Sequence, residues 1–186
     1  GHSIIVPFPP EASLSEYKGE ISNDLKYEKT FTIPKEFNLD RIIIHFGAVD
    51  QIAEVRVNNK IAGKHEGGYL PFSFDITELV DKDGDNYLEV LVKDDLSKDY
   101  PYGKQSKNPK GMWYTPVSGI WQTVWLENVP DTYIERLIIK PELDRVKLKI
   151  ICNQKVDLCR VQIMFSYKEN GNLDIVQDKE LPFGEG

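Results

Sequence analysis

Apolar and polar residues alternate with a period of two along most of this chain, the signature of half-buried β-strands. Tyr27, Lys29, Phe31 and Ile33 share one face of a first run, Ile42, Ile44 and Phe46 share a face of a second, and Val55 and Val57 follow in a third. Asn58-Asn59 stands between Val57 and Ile61, and because asparagine tolerates positive φ this pair predicts a two-residue type I′ hairpin. Residues 72–75 form a short fourth run. The segment Asp75-Ile76-Thr77-Glu78-Leu79 predicts a single turn capped by Asp75 or Thr77, and it is the one helical candidate in the sequence.

The polar stretch 81–86 then turns the chain into a strand in which Leu88, Val90 and Val92 point inward between Tyr87, Glu89 and Leu91. That strand leads into a loop over residues 93–118, longer than the roughly 12 to 15 residues usual for a connection without its own structure, which marks it as a functional loop. A strand over 122–127 closes this unit, and Asn128-Val129-Pro130-Asp131 breaks the pattern. Four more strand-like runs follow over 133–140, 146–152, 158–167 and 173–179, with Asn170-Gly171 as a second hairpin signal. The sequence therefore predicts an all-β protein of two sandwich units, residues 1–130 and 131–186. A seven-stranded sandwich takes roughly 100 residues, so the second unit is expected to be about half of one.

Composition narrows the partners more than the fold. With 186 residues, 40% hydrophobic and 28% charged, the chain has ordinary globular usage. A net charge of −7 repels nucleic acid and anionic membrane surfaces at long range, so neither is expected as a partner and neutral ligands suit it better. No apolar run approaches the roughly 20 residues that span a bilayer, and residues 1–10 lack a charged segment followed by a hydrophobic one. The leading Gly1 reads as a trimmed terminus, so a leader removed earlier would place the protein in the periplasm or outside the cell, and the compartment stays open. Cys152 and Cys159 lack metal-site spacing and default to free thiols, although a hairpin tip at 153–157 would set them opposite each other for a bridge.

The sequence carries no recognisable catalytic residue, metal site or cofactor motif. His2, His45 and His65 are scattered, without a zinc-binding cluster. Ser118 has Pro116 two residues before it, not the glycine of a nucleophile elbow, and reads as a loop serine. His65-Glu66-Gly67-Gly68 reads as a bend needing positive φ. The acidic cluster over 81–85 reads as a solvated turn. Asp94 and Asp95 are different, because they stand where a strand becomes the long loop that also carries Tyr100, Tyr102, Gln105, Trp113 and Tyr114. Carboxylates and amides pair with hydroxyls while aromatic faces stack on the C–H face of a sugar ring, so this mixture suits carbohydrate. Residue type alone favours the core for Trp113, Tyr114, Trp121 and Trp125.

Several segments, in order, carry a family resemblance. Ile5-Val6-Pro7-Phe8-Pro9-Pro10-Glu11 comes first, then Phe46-Gly47-Ala48-Val49-Asp50 with Ala53-Glu54-Val55-Arg56-Val57-Asn58-Asn59. Next come Gly63-Lys64-His65-Glu66-Gly67-Gly68-Tyr69-Leu70-Pro71-Phe72-Ser73-Phe74-Asp75-Ile76-Thr77 and Gly103-Lys104-Gln105, and finally Trp113-Tyr114-Thr115-Pro116-Val117-Ser118-Gly119-Ile120-Trp121-Gln122. Together they resemble the N-terminal sugar-binding domain of glycoside hydrolase family 2, from about residue 4 to 130, and residues 133–141 resemble the start of that family's immunoglobulin-like domain. The resemblance implies a galactose-binding-like jelly-roll followed by a partial immunoglobulin-like sandwich. It implies a retaining β-galactosidase, β-glucuronidase or β-mannosidase whose two catalytic glutamates lie on a (β/α)₈ barrel outside this chain. By that account the chain is a truncated, non-catalytic portion of the enzyme, its partners are carbohydrate and its own downstream barrel, and its ligand contacts fall on Asp94 or Asp95 and near Asn23. An autonomous carbohydrate-binding module and a purely structural docking domain are the competing expectations.

Overall fold

The computed structural model describes residues 1–156, 158–163 and 177–182. Its strands are β1 (Asp24–Thr32), β2 (Arg41–Phe46), β3 (Val49–Asp50), β4 (Ile52–Val57), β5 (Lys60–Glu66), β6 (Phe72–Asp75), β7 (Asp85–Lys93), β8 (Gly119–Ile120), β9 (Val124–Val129), β10 (Ile134–Pro141), β11 (Val146–Cys152), β12 (Leu158–Ile163) and β13 (Gln177–Pro182). They fall into two separately packed units, residues 1–130 and 131–186. No α-helix occurs among the described residues; the predicted turn after β6 is capped as expected, with the Thr77 amide donating to Asp75 Oδ1 at 3.0 Å.

The first unit is a jelly-roll of two antiparallel sheets, ordered β1-β7-β4-β5 and β6-β2-β9, with a short β3-β8 ladder at one end. Period-two alternation builds it. Ile42, Ile44 and Phe46 of β2 face Val55 and Val57 of β4 and Val90 and Val92 of β7, all nearly inaccessible to solvent. The outward positions of the four-stranded sheet carry alternating charges instead. Lys26 bridges Glu28 and Glu89 at 2.8 and 2.7 Å, and Glu54 takes Arg56 and Lys64 at 2.5 and 2.7 Å. One face therefore meets the core and the other meets water. Between the edge strands β1 and β9 the sandwich opens into a cavity of about 1190 Å³, lined by Leu25, Phe31, Ile44, Val124 and Leu126 among others.

The Asn58-Asn59 hairpin forms as the sequence predicts, with φ of 50° and 65° at the two asparagines. Asn58 does more than turn. Its Nδ2 donates to Leu79 O and to Asn86 Oδ1, and its Oδ1 accepts from the Tyr87 amide, tying the hairpin to the fully buried Asn86. Asn59 sits at the exposed tip of the turn. Asn59→Gly is therefore expected to stabilise the unit by about 0.5 kcal/mol by relieving the cost of positive φ, measurable as a higher urea midpoint, and no shift would contradict this reading.

The structure departs from the sequence pattern at two places. The closing strand lies at Val124–Val129, not 122–127, because its register is set by β2, with Val124 opposite Phe46 and Val129 opposite Arg41, and the Asn128 side chain caps 39–41 across the sheet. Trp113, Tyr114 and Trp125 are 45, 64 and 44% exposed and do not belong to the core. In the second unit β10 pairs with β11 and β12 with β13, and Cys152 is a free thiol, as the default reading of the sequence expects. The predicted hairpin at Asn170-Gly171 and the adjoining parts of the last two predicted strands lie outside the described residues.

Candidate functional site

The long loop begins where β7 ends, and strand parity decides which of its two aspartates faces inward. Val90, Val92 and Asp94 share the inward parity and are 1, 4 and 7% exposed, whereas Asp95 points to solvent and accepts the Ser97 amide at 3.0 Å. Asp94 Oδ1 accepts the Leu96 amide at 3.1 Å. Its Oδ2 is buried and accepts no hydrogen bond. The Asp94 amide donates to Asn23 O at 2.8 Å, so the turn before β1 and the exit of β7 are joined. Asn23 itself is exposed, with Oδ1 accepting from Lys107 Nζ at 3.3 Å.

Asp50, on β3, completes the arrangement. In β4, Ile52 pairs with Lys93, so continuing that register brings residues 50–51 beside Asp94. Asp50 pairs with Gly119 of β8 and is only 4% exposed. Its carboxylate fills the space that a Cβ at Gly68 would need, which is why the bend after β5 requires glycine there. Burial pushes the Asp50 carboxyl up to about 6, the negative charges of Asp94 and Glu11 add to this, and a hydrogen bond from Gln105 opposes it.

Gln105 links this acidic pair to the loop. Its Nε2 donates to Asp50 Oδ2 at 3.4 Å while its Oε1 accepts the Val117 amide at 2.6 Å, so one side chain ties the two arms of the loop to β3. A bridge between Gln105 and Tyr114 continues the tie, with the Tyr114 amide donating to Lys104 O and the Ser106 amide to Tyr114 O. On the other side the Ser118 amide donates to Glu11 Oε2 at 3.2 Å. Tyr27 backs the ladder. Its hydroxyl accepts the Ile120 amide at 3.3 Å, sits where Gly119 can carry no Cβ, and is pushed up to about 12 by burial. Trp121 donates from Nε1 to Gly68 O at 2.8 Å and meets the Tyr69 ring edge-on.

The structure thus brings Asn23 and Asp94 together, sets Asp95 aside in solvent, and leaves Trp113 and Tyr114 exposed on the loop. Asp50, Glu11 and Tyr27 join the site although the alternation pattern does not single them out. The signals for Asp50 are its place as the one charged residue of 46–53 and its presence in the resembling segment Phe46-Gly47-Ala48-Val49-Asp50. Among the described residues no group of three or more His, Cys, Asp or Glu side chains is placed to hold a metal ion.

Comparison with known proteins agrees with this architecture. The family model "Glycosyl hydrolases family 2, sugar binding domain" matches residues 7–130. A β-galactosidase from Thermoanaerobacter pseudethanolicus is 36% identical over 112 residues, covering 59% of this chain and 14% of that protein. A β-glucuronidase from Paenibacillus borealis is 25% identical over 181 residues, covering 86% of this chain and 30% of its own length. Among solved structures, a β-D-glucuronidase of Dictyoglomus thermophilum superposes with a TM-score of 0.65 at 26% identity, over 84% of this chain and 29% of that one. The chain therefore spans a third or less of each of these relatives.

Proposed function

The chain belongs to glycoside hydrolase family 2 through its sugar-binding domain, and from that premise we propose that it is the non-catalytic N-terminal part of a retaining β-glycosidase of β-galactosidase type. In this reading the base of the 93–118 loop faces the substrate and the Asp94 carboxylate accepts a sugar hydroxyl. The carrying observation is the buried Asp94 Oδ2 with no hydrogen-bond donor. An unpaired buried acceptor costs about 1 to 3 kcal/mol or more, a cost that a ligand hydroxyl removes. Asn23 stands at the same point, and the loop carries exposed aromatic faces. The remaining contacts and both catalytic carboxylates are supplied by a downstream (β/α)₈ barrel, so the chain alone turns over no aryl glycoside.

The 36% identity to a β-galactosidase supports the galactoside, and the acidity of Asp50, Asp94 and Glu11 suits a neutral hydroxyl edge better than a carboxylate. The β-glucuronidases among the relatives favour a second substrate, whose uronate group would have to lie away from this acidic corner. The exposed Trp113 and Tyr114 favour a second role, an autonomous carbohydrate-binding module. Micromolar binding of galactose, glucuronate or mannose to the 186-residue chain in calorimetry would support that role instead.

Kinetics of the full-length enzyme test the main reading. Asp94→Asn is expected to lower kcat/KM by about 10- to 100-fold, mainly through KM, because a charge-assisted hydrogen bond to substrate is lost. Asp95→Asn is expected to stay within about twofold, as a solvated surface change should. Equal, negligible effects of both would mean that the loop never meets sugar.

A further inference from the structure

Among the described residues, the buried side-chain oxygens that accept no hydrogen bond are Asp94 Oδ2 and Gln51 Oε1, on residues 7 and 5% exposed. They fall on neighbouring strands. The pairing of β4 with β7 sets Ala53 opposite Val92 and Ile52 opposite Lys93, so the next rung of that register is Gln51 opposite Asp94. Backbone bonds on both sides hold the rung: the Asp94 amide donates to Asn23 O at 2.8 Å, and the Gly67 amide donates to Gln51 O at 2.9 Å. It runs Asn23, Asp94, Gln51, Gly67, in the order of the sheet β1-β7-β4-β5. Parity puts the two central side chains on one face, since Gln51 continues the buried positions Ala53, Val55 and Val57, and Asp94 continues Val90 and Val92. Residues directly opposite on one face of an antiparallel pair have Cβ atoms about 4.5 to 5.5 Å apart. A carboxylate oxygen and an amide oxygen are both acceptors, so neither supplies what the other lacks. Buried polar atoms are almost always paired, and two exceptions on one rung call for donors from outside the chain.

We propose that Gln51 is a second, specificity-determining ligand contact, and that Gln51 Oε1 and Asp94 Oδ2 each accept one of two neighbouring ring hydroxyls of the sugar. This rests on the reading that Asp94 accepts a sugar hydroxyl, and it narrows the ligand to sugars that present a vicinal diol at the bound edge. A lone hydroxyl satisfies one oxygen and leaves the other buried without a donor. The two acceptors divide the work. The Asp94 carboxylate makes the stronger, charge-assisted bond, while the neutral Gln51 amide acts by rejection, because a sugar that lacks its hydroxyl, or carries a methyl ether there, strands a buried acceptor.

The test is kcat/KM of the full-length enzyme on p-nitrophenyl β-galactoside or β-glucuronide, whichever is hydrolysed, and on the 2-, 3- and 4-deoxy forms of that glycoside. The ratio of parent to deoxy form reads one hydroxyl at a time. Loss of the hydroxyl on Gln51 is expected to cost the wild type about 10- to 100-fold. Gln51→Met keeps the side-chain length without the oxygen, and is expected to bring that one ratio to within about threefold of unity. Asp94→Asn is expected to lower the ratio at the adjacent ring carbon. Unchanged ratios in Gln51→Met, or a fall at a carbon not adjacent to the one Asp94→Asn affects, would overturn the paired contact and leave the Asp94 reading standing. Unchanged ratios in Asp94→Asn would overturn both. Urea unfolding of the 186-residue chain without sugar gives a readout independent of kinetics. Gln51→Met is expected to keep or raise the midpoint, because it removes an unpaired buried acceptor. A midpoint well below that of the wild type would mean that the Gln51 amide already has a partner in the free chain, and would overturn the proposal.

Discussion

Replacing Phe46 with alanine is expected to remove about 3 to 5 kcal/mol of stability, enough to unfold a marginal domain at ordinary temperature. Phe46 has no accessible surface and packs face to face on Phe72, with ring centroids 4.9 Å apart and planes within 9°. It also sits where β2 is flanked on both sides, opposite Phe72 of β6 and Val124 of β9. Truncation would leave a void lined by three strands that cannot close without losing their registers. The relevant comparison is Phe46→Leu, which keeps much of the volume and is expected to cost less than about 1.5 kcal/mol. Urea unfolding followed by tryptophan fluorescence measures both. Similar midpoints for the two variants would show that the core collapses around the missing ring.

Asp50→Asn is expected to act in the opposite direction, stabilising the chain by up to about 3 kcal/mol at about pH 7.5 and changing little below about pH 4. The sign follows from the direction of the shift. The folded-state value of about 6 lies above the ordinary 3.8, so the folded chain binds the Asp50 proton more tightly than the unfolded chain does. The resulting stability is complete below the unfolded value and is lost as pH rises from there through about 6. Asparagine never ionises and escapes that loss. Its amide can still accept from Gln105, so the loop tie is kept. Urea midpoints at about pH 4 and about pH 7.5 decide it: an Asn variant no more stable than wild type at the higher pH would mean that Asp50 carries its charge at no cost.

Much of this architecture is legible in the sequence because its causes are local. The Asn58-Asn59 turn follows from two residues that accept positive φ, and the core faces of β2, β4 and β7 follow from alternation alone. Alternation also contains the choice between Asp94 and Asp95, since Asp94 continues the inward parity of Val90 and Val92 across the strand end. What stays hidden depends on residues brought together from afar. The β3-β8 ladder is two residues long and shows no periodicity. The proton affinity of Asp50 is set by burial together with Asp94 and Glu11, which are distant in the chain, and the need for glycine at 68 is set by Asp50. The start of β9 escapes the alternation pattern because it is set by pairing with β2, where Val124 stands opposite Phe46, a tertiary register that no local pattern encodes. The exposure of Trp113 and Tyr114 likewise reverses their residue-type average, since the loop folds by backbone bonds through Gln105 and Lys104 and leaves the rings outside.

The central claim is that this jelly-roll meets substrate through the inward aspartate at the end of β7. A crystal structure of the full-length enzyme with a non-hydrolysable galactoside analogue tests it most directly. The account predicts a sugar hydroxyl on Asp94 Oδ2 at about 2.6 to 3.0 Å, with Asp95 in solvent. A bound sugar with no atom within about 6 Å of Asp94, beyond the reach of one bridging water, would contradict it.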